Sequence, residues 1–346
     1  MSVLWTAIER ARAGETLSAA LMHDVMAAIV DGHASSADTS AFLTALATRT
    51  ERLVESPDEL VAAAEVLRAR MIAIAAPRGT LDTCGTGGSG RPKLNVSTLT
   101  AIVVASLGVP VAKHGNRSSV HVGSSDVLEA MGVPLLAPAA SASLLVAQGL
   151  AFLHAPHHHP ALARVAPVRR ALGIRTIFNL LGPLASPARV RRQVVGTTDP
   201  RRAASIAVAL TALGAERALV FAGAVDELPI DAPTHGYEVR AGEVRPIVLD
   251  PAQAGVAAMC GHTGLRDGAD GFRDALEGHA PPAVEQVAWS AAVALTIAGE
   301  EDCEPGLLAQ HVSRARSALR DGRVADFFEA HRARARALAA DVERAA

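Results

Sequence analysis

The sequence predicts an α/β protein in two parts, a small helical domain ahead of a larger α/β domain built on a central sheet. Three observations carry this. Apolar residues recur at helical spacing from Met1 to Arg70. After Pro77, short apolar runs bounded by turn residues alternate with helical stretches, the order expected of strands joined by crossover helices. The length of 346 residues gives room for two such units.

In the first part, breaks near Gly14, Gly32 to Ser36 and Ser56-Pro57 divide the pattern into four short helices. Thr16 and Ser18 sit just ahead of Ala19 to Val30, and Ser56 with Glu59 makes a capping box before Leu60 to Met71. In the second part, strands are expected at Thr80 to Cys84, Val109 to Ala112, Leu150 to His154, Gln193 to Thr197, Ala218 to Ala222, Tyr237 to Ala241 and Val244 to Leu249. Helices are expected at Leu99 to Leu107, Val127 to Met131, Pro167 to Gly173, Arg201 to Leu213, Val284 to Ile297, Gly306 to Leu319 and Val324 to Ala340. The periodicity persists through the Ala-rich stretches, so they read as helix and not as disorder.

Half of the residues are hydrophobic and 3% aromatic, so the core is built from Ala, Val, Leu and Ile. Lys plus Arg number 33 against 35 Asp plus Glu, a balance that argues against a general polyanion binder. Cys84, Cys260 and Cys303 lie far apart, with neither zinc spacing nor a disulfide framework, which fits a reducing, cytoplasmic setting. No run is long enough to span a membrane, and Met1 to Arg10 reads as an amphipathic helix and not a secretory leader.

Two loops carry the chemistry. Asp82 to Gly90 holds Gly85, Gly87, Gly88 and Gly90 directly after a strand, followed by Asn95-Val96-Ser97-Thr98 at a helix start. Glycines let successive N–H groups turn towards one oxygen-rich ligand, and the helix start adds unsatisfied donors, so phosphate is the natural guest. The spacing is neither a dinucleotide fingerprint nor a Walker A loop, and a plain strand-to-helix turn is the alternative. The second loop, Lys113 to Ser119, also follows a strand, and Gly123 to Asp126 opens the next helix. It gathers Lys, Arg, Asn and Ser where a phosphate needs cations and donors. Lys93 and Lys113 are the chain's only lysines, and both fall in these segments.

The ordered strings Gly85-Thr86-Gly87-Gly88, Asn95-Val96-Ser97-Thr98, Lys113-His114-Gly115-Asn116-Arg117, Arg169 to Asn179 and Gly182-Pro183-Leu184 resemble the anthranilate phosphoribosyltransferase family of tryptophan biosynthesis over nearly the whole chain. The resemblance implies a nucleoside-phosphorylase-type fold with a mixed sheet. Its helical domain would be 1–72 joined by 158–186, and its α/β domain 73–157 with 187–346, in a homodimer formed through the helical domain. It implies transfer of a phosphoribosyl group from phosphoribosyl pyrophosphate to the amine of anthranilate with Mg2+ present, releasing pyrophosphate, and no membrane or nucleic-acid partner. The implied donor site is Gly85, Gly88, Ser89, Lys93, Asn95, Val96, Ser97 and Thr98, with Lys113, His114, Gly115, Asn116, Arg117, Ser118, Ser119 and Ser124. The implied anthranilate contacts are Gly85, Asn116 and Arg169, and the implied metal ligands are Ser97, Asp226 and Glu227. Read without the family, Asp226-Glu227 is a solvated acidic turn.

Ser89 and Lys93 depart from the Asp and Thr usual in that family, and the stretch Ser118 to Gly123 is one residue short. Both substitutions make the loop more positive. Another aryl-amine acceptor, phosphorolysis of a nucleoside, and a binding relative without activity are the alternative functions. No catalytic base is assigned, and His114 reads as a core or hydrogen-bonding histidine. Cys84 has no adjacent base and reads as a small buried residue. His157-His158-His159 has the composition of a metal tract, but consecutive residues cannot all face one ion, so it is assigned to a surface or acceptor-entry loop.

Overall fold

The computed structural model describes residues 2–87, 94–118, 122–257, 265–266 and 268–345. Helices α1 (Val3–Arg12), α2 (Ala19–Val30), α3 (Ser36–Arg49) and α4 (Pro57–Arg70) form the N-terminal bundle. Ser2, Ser18, Ser35 and Ser56 each accept an N–H from the first turn of the helix they precede, and Ser56 with Glu59 closes the expected capping box. Arg49 donates to both oxygens of Glu59, at 2.6 and 2.8 Å, and Leu17 donates its N–H to the same carboxylate at 2.8 Å. One buried ion pair thus ties α3, α4 and the approach to α2.

The sheet has seven strands in the order β3-β2-β1-β4-β5-β6-β7. They are β1 (Leu81–Gly85), β2 (Val111–Gly115), β3 (Leu150–His154), β4 (Arg192–Thr197), β5 (Arg217–Ala222), β6 (Thr234–Arg240) and β7 (Glu243–Leu249). The first five are parallel; β6 and β7 add on antiparallel, so the sheet is mixed. From β1 the chain moves outward to β2 and β3, then returns to the other side of β1 with β4. That reversal leaves a crevice beyond the carboxyl ends of β1 and β4, where Gly85 pairs with Gly196.

Successive strand residues face opposite layers. Val194, Leu219 and Phe221 join a core with α5 (Val96–Ser106) and α13 (Pro281–Ala298), whereas Val195, Ala218 and Val220 join one with α11 (Pro200–Ala212) and the N-terminal bundle. Helices α6 (Ser124–Ala130) and α7 (Pro138–Gln148) connect β2 to β3. Beyond β7 come α12 (Gly268–Leu276), α14 (Pro305–Arg320) and α15 (Arg323–Ala345), with α14 lying against α13. After β3 the chain returns to the bundle through α8 (Ala155–His158), a 3-10 turn at Pro160–Arg164, α9 (Ala166–Leu172) and α10 (Phe178–Leu184). Val168, Phe178 and Leu181 there share a cluster with Met22, Phe42 and Leu60. Among the described residues, no helix is long and apolar enough to cross a membrane.

His157 is exposed, but His158 and His159 correct the expectation of a surface loop. His158 and His159 are 0% and 4% exposed. Their rings donate to the carbonyls of Ile72 at 2.8 Å and Ala185 at 3.1 Å, so the tract satisfies backbone oxygens where the chain passes between bundle and sheet.

Candidate active site

The crevice is shaped by glycines that make room for an acidic turn. A Cβ on Gly85 would stand 2.2 Å from Asp226 Oδ2, one on Gly196 would stand 2.0 Å from the Asp226 carbonyl, and one on Gly223 would stand 2.4 Å from the Glu227 carbonyl. Only bare backbone fits at those three places. Asp226 has φ +54°, in the left-handed region that side chains other than glycine rarely adopt. Its Oδ2 accepts the Gly87 N–H at 2.9 Å. Asp226 and Glu227 are 1% and 6% exposed, so this is no solvated turn.

Beside it stands the start of α5. Lys113, on the interior strand β2, is buried, and its ammonium donates to the Thr83 carbonyl at 2.5 Å and to Ser97 Oγ at 3.2 Å. The cation therefore lies beneath the Ser97 hydroxyl. Val96 and Thr98 turn into the core, and their N–H groups go to the carbonyls of Leu94 and Asn95, at 2.8 and 3.0 Å. Of these expected donor residues, Ser97 is the one with a hydroxyl at the crevice. Asn95 Nδ2 donates to the Val122 carbonyl at 3.2 Å and so links the glycine loop to the second loop.

In the second loop a Cβ on Gly115 would stand 2.2 Å from Ser124 Oγ, which brings those two expected site residues together. Asn116 Oδ1 accepts the Arg117 N–H at 2.8 Å, and Asp126 accepts the N–H groups of Ser118 at 3.2 Å and Gly123 at 2.8 Å. Arg117 lies across α6, paired with Asp126 at 3.2 Å and Glu129 at 2.5 Å. His114 is held by its Nδ1, which donates to the Gly182 carbonyl at 3.1 Å, and burial lowers its pKa to about 3. It is a neutral hydrogen-bonding histidine, as the sequence suggests. Burial also pushes the Cys84 thiol well above its usual range, which removes it as a nucleophile. Gly88, Ser89, Lys93 and Ser119 lie outside the described residues.

Arg169 stands over the Phe178 ring, its guanidinium carbon 5.5 Å from the centroid, and burial lowers its pKa. Among the described residues no hydrogen bond or ion pair joins it to Asn116 or Gly85. Two residues of the crevice escape sequence reasoning. Arg175 donates to Thr86 Oγ1 at 3.1 Å and Thr198 Oγ1 at 2.9 Å, bridging the exits of β1 and β4. Asp82, fully buried, accepts the His114 N–H at 3.2 Å, and burial raises its carboxyl to about pKa 6 against the pull of Lys113. A lone acid inside an apolar strand is the available signal for Asp82; Arg175 sits unmarked within the string Ile174 to Leu184.

Residues 6–71 match the helical bundle domain of the glycosyl transferase family, and residues 78–325 match its a/b domain. An anthranilate phosphoribosyltransferase of Thermomicrobium roseum is 40% identical over 97% of this chain and 98% of its own length. The chain belongs to the anthranilate phosphoribosyltransferase family. Another family relative, from Novosphingobium aromaticivorans, is 44% identical over 79% of this chain and 84% of its own. The family crystal structure from Thermus thermophilus superposes with a TM-score of 0.84 at 36% identity, covering 95% of this chain and 99% of that one. The Saccharomyces cerevisiae family structure in complex with PRPP and Mg shares the fold, with a TM-score of 0.82 at 21% identity over 96% of this chain and 98% of that one.

Proposed function

We propose that this chain transfers the phosphoribosyl group of phosphoribosyl pyrophosphate to the amine of anthranilate and releases pyrophosphate, a step of tryptophan biosynthesis. The observation that carries this reading is the Asp226 carboxylate seated against Gly85 and Gly87 at the switch point, beside the Ser97 hydroxyl and the buried Lys113 ammonium. We place the domain division at 1–72 joined by 158–186, with 73–157 and 187–346 forming the donor-binding domain, in a cytoplasmic homodimer.

Asp226 and Glu227 suit Mg2+, which takes a small number of carboxylates together with phosphate oxygens and water; the Asp226 carboxylate stands against Gly85 and Gly87 of the glycine loop. When bound, the ion neutralises charge on the departing pyrophosphate. The remaining work falls to the protein's own groups. As the bond from ribose C1 to the pyrophosphate oxygen breaks, the electron pair leaves with the pyrophosphate and positive charge grows on the sugar. The Lys113 cation, held beneath the Ser97 hydroxyl, answers the negative end. The aryl amine attacks C1, and the proton of the resulting anilinium passes to solvent water as the neutral C–N product forms. The amine needs no prior deprotonation, so holding it in line is what matters. Arg169, desolvated and carrying no carboxylate partner among the described residues, suits the carboxylate of anthranilate, and Asn116 lies on the loop opposite Gly85. His114 is left out of proton transfer, since burial lowers its pKa to about 3 and makes its ring a poor base.

A coupled assay for pyrophosphate release from phosphoribosyl pyrophosphate, Mg2+ and anthranilate tests the reading. Release is expected from the native chain, with about a hundredfold or greater loss in Asp226→Asn. A folded native chain that releases no pyrophosphate refutes it.

A further inference from the structure

A cavity of about 440 Å³ opens at the amino ends of β1 and β4, on the edge of the sheet opposite Gly85 and Asp226. The length of β1 separates the two, about 15 Å. Its walls come from two segments that join bundle and sheet, residues 76–80 between α4 and β1 and residues 188–192 between α10 and β4. Those connections are already tied by backbone. Ile72 donates its N–H to the His158 carbonyl at 2.7 Å, and Ile74 donates to the Pro187 carbonyl at 3.0 Å.

The charge of the lining is one-sided. Arg78, Arg189, Arg191 and Arg192 face a single carboxylate, Glu216. Glu216 is taken by Arg191 at 2.8 Å and stands 3.9 Å from Arg192, whose fork also reaches Glu300 and the Gly299 carbonyl. Among the described residues Arg78 has no ion-pair or hydrogen-bond partner, and Arg189 reaches only the Arg68 carbonyl at 3.4 Å. Arg189 also has φ +46°, a left-handed backbone that costs energy outside glycine. Arg78 and Arg189 are exposed, so water screens their repulsion and leaves both guanidinium forks open to an anion. Guanidinium forks match the oxygens of phosphate and carboxylate, and the volume is that of a small-molecule site.

We propose that this cavity binds a small multiply charged oxyanion, carrying phosphate or carboxylate groups, that bridges Arg78 and Arg189 and so clamps the two connecting segments together. The site is separate from the donor site and independent of the activity proposed above.

Calorimetric titration of the full chain with inorganic pyrophosphate and with citrate, both free of Mg2+, tests it. The native chain is compared with Arg78→Gln/Arg189→Gly and with Asp226→Asn. Glycine at 189 accepts the positive φ, so the double variant keeps the backbone, and Arg78→Gln alone repeats the comparison at an exposed residue. Binding of one anion or both is expected to weaken about tenfold or more in the double variant and to persist in Asp226→Asn. Pyrophosphate as the tighter probe assigns a phosphoryl group to the natural ligand, and citrate as the tighter probe assigns a polycarboxylate. Unchanged binding of both anions in the arginine variants, or no binding to the native chain at millimolar concentration, overturns the proposal.

Discussion

Glu59 accepts four hydrogen bonds with no side-chain exposure, two from Arg49 and one each from the N–H groups of Leu17 and Ser56. Arg49→Met removes the cation and leaves the carboxylate buried. The expected loss is about 3 to 5 kcal/mol, far beyond an exposed pair, and equilibrium urea unfolding measures it. Gly85 represents the opposite kind of residue, one whose value is the absence of atoms. In Gly85→Ala the new Cβ would meet Asp226 Oδ2 at 2.2 Å, so the carboxylate must move away from the Gly87 N–H. Displacement of about 1 Å at a reacting site is worth about a hundredfold in rate. The steady-state kcat/KM is therefore expected to fall about that much while the protein still unfolds cooperatively; near-native turnover would show that Asp226 has no part in the reaction.

At the scale of elements, α4 is legible because every local signal agrees: Ser56 at the cap, Pro57 inside it, Glu59 closing the box. Ser56→Ala is expected to cost about 1 kcal/mol, read as a lowered urea midpoint with unchanged slope. The expected second strand stops at Ala112 because Lys113 and His114 break the apolar run. Strand β2 nevertheless continues through both, which are buried and held by hydrogen bonds to Thr83, Ser97 and Gly182 on neighbouring segments. Helix α10 escapes local reading because Gly182-Pro183 has the character of a turn, and the apolar cluster under Phe178 and Leu181 overrides that preference. The acidic turn is the clearest case of what local reading cannot reach. Asp226-Glu227 carries no signal by itself, and its burial depends on Gly85, Gly196 and Gly223, which the chain scatters over three strand exits. Family resemblance identifies that turn; packing explains it.

Across the whole molecule the buried histidines set the response to acid. Burial lowers the pKa of His114 to about 3 and of His154, His159 and His331 to about 4. An unfolded histidine titrates near 6.5, so as pH falls below that value the unfolded chain takes up protons that the folded chain refuses. Stability from these groups is full above about pH 6.5 and is lost progressively towards pH 4. Asp82 acts with the opposite sign: burial raises its carboxyl to about 6, so the folded chain keeps a proton that the unfolded chain releases above about 3.8, and stability falls as pH rises through that window. One carboxyl against four histidines does not reverse the trend. Each pKa unit is about 1.4 kcal/mol, so the most buried of these histidines, His114, His159 and His331, each make the folded state about 1 kcal/mol less stable at pH 5.5 than at pH 7.5. His331 isolates one share of this, because neither ring nitrogen has a hydrogen-bond partner among the described residues and the ring lies between Phe152 and Phe327, at centroid distances of 5.5 and 6.5 Å. Replacing it by leucine keeps the apolar contact and removes the titrating group. Unfolding free energies of His331→Leu from urea titrations at the two pH values should differ by about 1 kcal/mol less than those of the native chain, and an identical pH dependence would mean that this ring already takes up its proton in the folded state.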